Sequence, residues 1–171
     1  MTNMDQEDAD QEDADQERVS ATLTIAASAE QVFAVLADPV RHAAIDGTGW
    51  VEEPVDREPL TAPGQVFRMA MYLASRGVNY QTANVVQHFD PPRTISWWTG
   101  TEHDDGALEL GGWVWRYDLV PVGPSETEVT LSYDWSEVPQ LVRDRGIPFP
   151  PFGPDHLPRS LAHLAELATK D

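Results

Sequence analysis

Residues 113–135 read Trp113-Val-Trp-Arg-Tyr-Asp-Leu-Val-Pro-Val-Gly-Pro-Ser-Glu-Thr-Glu-Val-Thr-Leu-Ser-Tyr-Asp-Trp135. Two alternating runs flank a Gly123-Pro124 turn. Trp113, Trp115, Tyr117 and Leu119 share one side of the first run, and Val129, Leu131, Tyr133 and Trp135 share one side of the second. A period of two is the mark of a half-buried strand, and the turn dipeptide makes the pair an antiparallel hairpin with neighbouring aromatic rows. Trp97, Trp98, Trp113, Trp115 and Trp135 all fall between His88 and Trp135. A sheet face that gathers so many indoles either packs a core or walls an apolar chamber.

Working outward, the pattern upstream is also strand-like. Val66 to Leu73 places Phe67, Met69, Met71 and Leu73 on an inward face. A hairpin near Ser75 to Gly77 leads into Val78 to Phe89, and Asp90-Pro91-Pro92 turns the chain into Thr94 to Thr99. Residues 100 to 111 read as a polar loop, and 50 to 63, with Pro54, Pro59 and Pro63, as irregular or a short edge strand at most. A first strand starts at Arg18. Ser28 with Gln31 has capping-box spacing ahead of a helix that Asp38-Pro39 breaks, and Pro39 opens a second short helix to Ile45. After a proline-punctuated stretch, Pro139 to Pro154, with one helical turn at Gln140 to Arg143, a last helix runs from about Asp155 to Thr169. Its apolar stripe is Leu157, Leu161, Leu164 and Ala168. Helices set apart from a run of strands define an α+β class.

The chain has 171 residues, 41% of them apolar, which suits one folded domain. It has no cysteine, hence no disulfide framework and no thiolate chemistry. Its formal charge is −18. Residues 1–17 hold eight of the 29 acids and no base, so the remaining 21 acids face 11 bases, leaving −10. That balance argues against nucleic acid and anionic lipid surfaces as partners. The same 17 residues carry a tandem Asp-Gln-Glu-Asp-Ala repeat, expected to be a disordered acidic tail before a single domain over 18–171. No export signal or spanning segment is read, so a cytoplasmic protein without membrane anchoring, monomer or homodimer, is expected.

Three stretches carry a family resemblance: Ala26-Ala-Ser-Ala-Glu-Gln-Val-Phe-Ala-Val-Leu-Ala-Asp-Pro39, the turn Phe89-Asp-Pro-Pro-Arg-Thr-Ile-Ser-Trp97, and the terminal strand pair with its helix. Together they span nearly all of 18–171, and the chain resembles the SRPBCC superfamily, the START-like or helix-grip fold, in its polyketide cyclase/dehydrase-like branch. The resemblance implies a curved antiparallel sheet of about six or seven strands wrapped around the long C-terminal helix, with two short helices after the first strand and an apolar chamber between sheet and helix. On that implication the ligand-binding residues are Met69, Met71, Tyr80, Trp97, Trp113, Trp115, Tyr117, Tyr133 and Trp135, facing Leu157, Leu161 and Leu164. The chain departs from the common pattern at Ala44-Ile45, where an aromatic residue usually stands.

The function expected is binding of a small, mainly apolar, lipid-like, aromatic or polyketide-like molecule, without cofactor or metal. Two alternatives stand beside it: a polyketide aromatase/cyclase or dehydratase, and a protein-interaction module resembling chaperone-ATPase activators. Catalysis would need an inward polar group with a shifted pKa. Arg116, Asp118 and Asp134 alternate away from the aromatic row, and His88 sits beside a turn, so none is assigned a catalytic role. Glu102-His103-Asp104-Asp105 reads as a solvated loop and not a metal site. His156 and His163 are placed on the outward face of the last helix, and His42 is given no role. Phe149 and Phe152 in the proline-rich loop are expected to pack on the sheet rim, with a lid as the alternative.

Overall fold

The computed structural model describes residues 17–170. The tail expected over 1–17 lies outside the described residues except for Glu17. That residue is held to the fold: its carboxylate accepts from Arg143 Nη1 at 2.9 Å and its carbonyl from the Trp135 amide at 2.9 Å.

Seven strands form one antiparallel sheet: β1 (Arg18–Ile25), β2 (Val51–Pro54), β3 (Val66–Leu73), β4 (Val78–Asp90), β5 (Thr94–Glu102), β6 (Leu108–Gly123) and β7 (Glu126–Asp134). Their order is β1-β7-β6-β5-β4-β3-β2. Strands β2 to β7 form a meander, each paired with its successor, and β1 closes onto β7 at the other edge. The helices are α1 (Ala29–Leu36), α2 (His42–Ile45, preceded by a 3-10 turn Pro39–Arg41), α3 (Gln140–Arg143) and α4 (His156–Thr169). This is the helix-grip α+β architecture: a curled half-barrel whose concave face is covered by helices, the last of them the longest.

Local chemistry sets the boundaries. Ser28 caps α1, its hydroxyl accepting from the Gln31 amide at 3.2 Å while Gln31 Oε1 accepts from the Ser28 amide at 3.0 Å. Asp38 Oδ1 accepts from the Val40 amide at 3.1 Å and opens the 3-10 turn, with Pro39 in its first position. The expected hairpin is present, and its register sets Trp115 opposite Tyr133, Tyr117 opposite Leu131 and Leu119 opposite Val129.

The polar loop expected over 100–111 is a correction. Gly100, Thr101 and Glu102 pair with Leu110, Glu109 and Leu108, leaving only 103–107 as the hairpin tip. The ladder needs only backbone N–H and C=O, so it extends past the end of the core, where no buried face demands apolar residues. Here Glu102 pairs with Arg68, whose Nη1 also reaches Asp56 at 3.0 Å, and His103 meets Glu109 at 2.8 Å. Two glycines then kink β6. Gly112 has φ +98°, and a side chain there would put Cβ 2.6 Å from the Glu137 carbonyl oxygen. The residues after β7 therefore lie flat against β6 because position 112 has no Cβ.

The core lies between the concave sheet face and the helices. Val32 and Leu36 of α1, Leu157, Leu161 and Leu164 of α4, Ile25, Phe67, Val129 and Leu131 pack as one cluster. A second cluster, Tyr133, Trp135 and Val138 with Trp113, Phe149 and Phe152, sits toward the proline-rich loop. Trp115 touches both.

Candidate functional site

Between β3 to β7 and the helices lies a cavity of about 120 Å³. Its apolar wall is built by the period-two rows: Phe67, Met69 and Met71 from β3, Trp97 from β5, Trp115 and Tyr117 from β6, and Leu131 from β7. Leu36 and Ile45 close it from the helical side, and Trp50 and Val51 at the β2 edge. A broader, more open depression lined by Gly47, Pro151, Phe152, Gly153, Asp155 and Arg159 shares Thr48, Trp50 and His156 with the cavity. It is therefore the mouth of the cavity.

Of the residues expected to bind a ligand, Met69, Met71, Trp97, Trp115 and Tyr117 line this cavity. The others lie elsewhere. Trp113, Tyr133 and Trp135 belong to the second cluster, toward the proline-rich loop. Trp113 packs on Phe149 with ring centroids 6.2 Å apart. Leu157, Leu161 and Leu164 are spent on the core: the stripe faces α1 and the edge β1 strand, and the cavity is met instead by the neighbouring α4 edge, His156 and Ser160, one turn apart. Tyr80 shares the inner face through its pairing with Met71, but it stands where the sheet overhangs its helical cover and is 40% exposed.

His156 corrects the expectation of an outward histidine. It is 7% exposed, wedged edge-on against Trp115 at 5.6 Å and under Phe152 at 4.6 Å. At the first turn of α4 the incoming loop folds Phe152 over the ring, so what helical periodicity assigns to the outside is covered by chain from outside the helix. Burial lowers the His156 pKa, with Asp46 opposing and Arg159 reinforcing the shift. Phe152 itself stacks on Trp115 at 5.6 Å and meets Tyr133 edge-on at 5.0 Å. The proline-rich loop thus packs on the inward aromatic row and forms one side of the mouth.

His42, too, has a place that periodicity does not show. Its ring stacks on Trp97 (5.3 Å, 18°) and meets Phe67 edge-on (5.6 Å, 82°), and its Nε2 lies 2.8 Å from the Leu36 carbonyl oxygen. Burial is the main cause of its lowered pKa, opposed by that hydrogen bond and by Asp38. Tyr117 is pushed upward by burial, with Asp46 adding to the effect, so it stays a phenol.

Most polar groups facing the cavity are already engaged. Asp46 takes the Thr48 amide and hydroxyl and the Val51 amide, Thr99 donates to Asn84 Oδ1 at 2.8 Å, and Ser160 Oγ accepts from the Gly47 amide at 3.1 Å. Such an arrangement leaves a largely apolar wall with few groups free to bond. Arg116 and Asp118 pair with each other at 2.8 Å on the opposite sheet face. Among the described residues no three His, Asp or Glu side chains converge as metal ligands, and no helix is long and apolar enough to cross a membrane.

Residues 16–167 match the family model described as polyketide cyclase / dehydrase and lipid transport. The chain belongs to this family. The uncharacterized protein Rv0088 of Mycobacterium tuberculosis is 30% identical to it over 118 residues, covering 69% of this chain and 47% of that protein, so the chain spans about half the length of this relative. Among solved structures, an Arthrobacter aurescens protein covers 92% of this chain and 89% of its own at 13% identity with a TM-score of 0.66. The AHSA1 protein of Silicibacter pomeroyi covers 87% and 95% at 18% identity with a TM-score of 0.57. These likenesses carry the fold. Of the residues that build the cavity, Trp50, Thr48, Asp46, His42 and His156 lie outside the alternating strands, and no period in the sequence points to them.

Proposed function

We propose that this chain binds a small, mainly apolar molecule, aromatic or short-chain, in the cavity between sheet and helices. The observation that carries the reading is the cavity itself, walled by Trp97, Trp115, Phe67, Met69 and Met71 and reached through a mouth under Phe152. Its size narrows the class. An apolar cavity of about 150 Å³ holds benzene, so about 120 Å³ suits a single ring or a short acyl group. Larger polyketide-like or lipid-like molecules would have to extend through the mouth. The adaptable thioethers of Met69 and Met71 support tolerance for such variation.

The test is a titration of the full chain with toluene, followed by the methyl resonances of Met69 and Met71. Saturable displacement of both is the expected result. Shifts that stay linear and unsaturated up to the solubility of toluene would refute the reading.

A second reading, cyclase or dehydratase activity, is favoured by one observation: two histidines, His42 and His156, line the same cavity as Tyr117. A neutral imidazole there can take a proton from a carbon acid while a phenol stabilises the enolate. Loss of one water from a poly-β-keto thioester, abolished by His42→Phe or His156→Phe, is the outcome this reading requires.

A further inference from the structure

His42 lines the cavity with only one of its two ring nitrogens bonded to the protein. A carbonyl oxygen has no proton to give, so the 2.8 Å contact to Leu36 requires Nε2 to carry one. A neutral imidazole has a single ring proton, which leaves Nδ1 as a bare lone pair. Among the described residues Nδ1 of His42 has no protein partner, and the enclosed side-chain polar atom left without a partner is Nδ1 of His156. Nδ1 of His42 thus keeps its lone pair unengaged by the described residues, in a ring that is only 9% exposed and lines the cavity. The Tyr117 hydroxyl also has no protein partner among the described residues, and its ring lies 6.2 Å from that of Trp97, which stacks on His42. The imidazole and the phenol thus both line a space the size of one ring, bounded by Trp97.

We infer that the cavity selects planar rings carrying a hydrogen-bond donor, phenols being the simplest, with His42 Nδ1 accepting from the ligand hydroxyl. The inference rests on the ligand-binding reading above and adds to it the class of ligand. A buried acceptor that stays unpaired with a donor-free ring disfavours that ring, which is how a hydrophobic site gains selectivity. The expected preference attributable to this bond is about three- to tenfold in affinity.

The experiment uses the full chain with ¹⁵N-labelled histidine, titrated separately with phenol and with toluene. Phenol should displace the His42 Nδ1 resonance saturably, whereas toluene should move the Met69 and Met71 methyls and leave Nδ1 in place. In His42→Phe, the affinity of phenol relative to toluene should fall about three- to tenfold. Phenol binding with Nδ1 unmoved, toluene binding without phenol binding, or an unchanged ratio in a folded His42→Phe overturns this inference alone. Failure of both probes to bind overturns the cavity reading with it. The nitrogen measurement is made on the wild-type protein, so the test stands even if the variant does not fold.

Discussion

Replacing His42 by glutamine should remove part of the stability that the wild-type protein loses on mild acidification. In the folded protein burial holds the His42 pKa below its ordinary value, whereas in the unfolded chain the ring takes its proton near pH ~6.5. Between those two pKa values the unfolded chain binds more protons, so stability falls as pH falls. The contribution of the neutral ring is complete above about pH 6.5 and is lost downward until the folded pKa is passed. Between about pH 7.5 and about pH 5.5 one such histidine costs at most about 1.4 kcal/mol, the limit reached if the folded ring stays neutral throughout. His156 acts with the same sign, and relief of the negative net charge acts with the opposite one, but both are common to wild type and variant and cancel in the comparison. Glutamine does not titrate, and its amide can still donate to the Leu36 carbonyl, so the variant is not asked to bury an orphan acceptor. Urea unfolding of both proteins at the two pH values, extrapolated linearly, measures the double difference. Wild type should lose up to about 1.4 kcal/mol more than His42→Gln. Equal losses, or a greater loss in the variant, would refute the account of His42 as a ring buried neutral.

Three further substitutions probe the parts that shape the site. Phe152→Ala removes the ring that stacks on Trp115 and covers His156; because Phe152 is only half-buried, roughly half the usual cost of a Phe truncation is expected, about 1.5–2.5 kcal/mol. The thermal midpoint should drop by about 3–10 °C, and no change would show that the loop is held without it. Gly112→Ala puts a Cβ into the Glu137 carbonyl at a positive φ, so destabilisation above about 1–3 kcal/mol and loss of the second aromatic cluster's near-UV signal are expected; a neutral outcome would mean that the 136–138 segment moves freely. Ser28→Ala opens the capping box of α1 and should cost about 0.5–2 kcal/mol in denaturant unfolding while leaving toluene binding intact, since Ser28 is remote from the cavity lining. A variant with full stability would contradict the role of that cap.

Much of the fold is legible in residue order because it rests on short-range rules. The alternation at Trp113 to Leu119 and Val129 to Trp135 specifies two strands and, with Gly123-Pro124 between them, their pairing. Ser28 and Gln31 mark a helix start, and Asp38-Pro39 its end. Where reading failed, the failures have causes. The loop at 100–111 is half strand because ladder hydrogen bonds are indifferent to side-chain polarity. Helical periodicity puts His156 on the outward face of α4 because it knows only its own helix, and Phe152, which covers the ring, comes from another segment.

The cavity divides along the same line. Met69, Met71, Trp97, Trp115 and Tyr117 are found from the sequence, since a strand's inner face is a matter of counting by twos. The closing side, with Trp50, Asp46, Thr48, His42 and His156, depends on how the α2 region and the proline-rich loop settle over the sheet. That settling is governed by contacts such as Gly47 on Ser160 and Ile45 on His163, between residues more than a hundred positions apart. Alternation therefore determines that an aromatic face exists. Which of its rings border a cavity, and which are consumed as core, is decided by packing between distant segments, because a side chain's neighbours are set by the whole enclosure and not by its own strand.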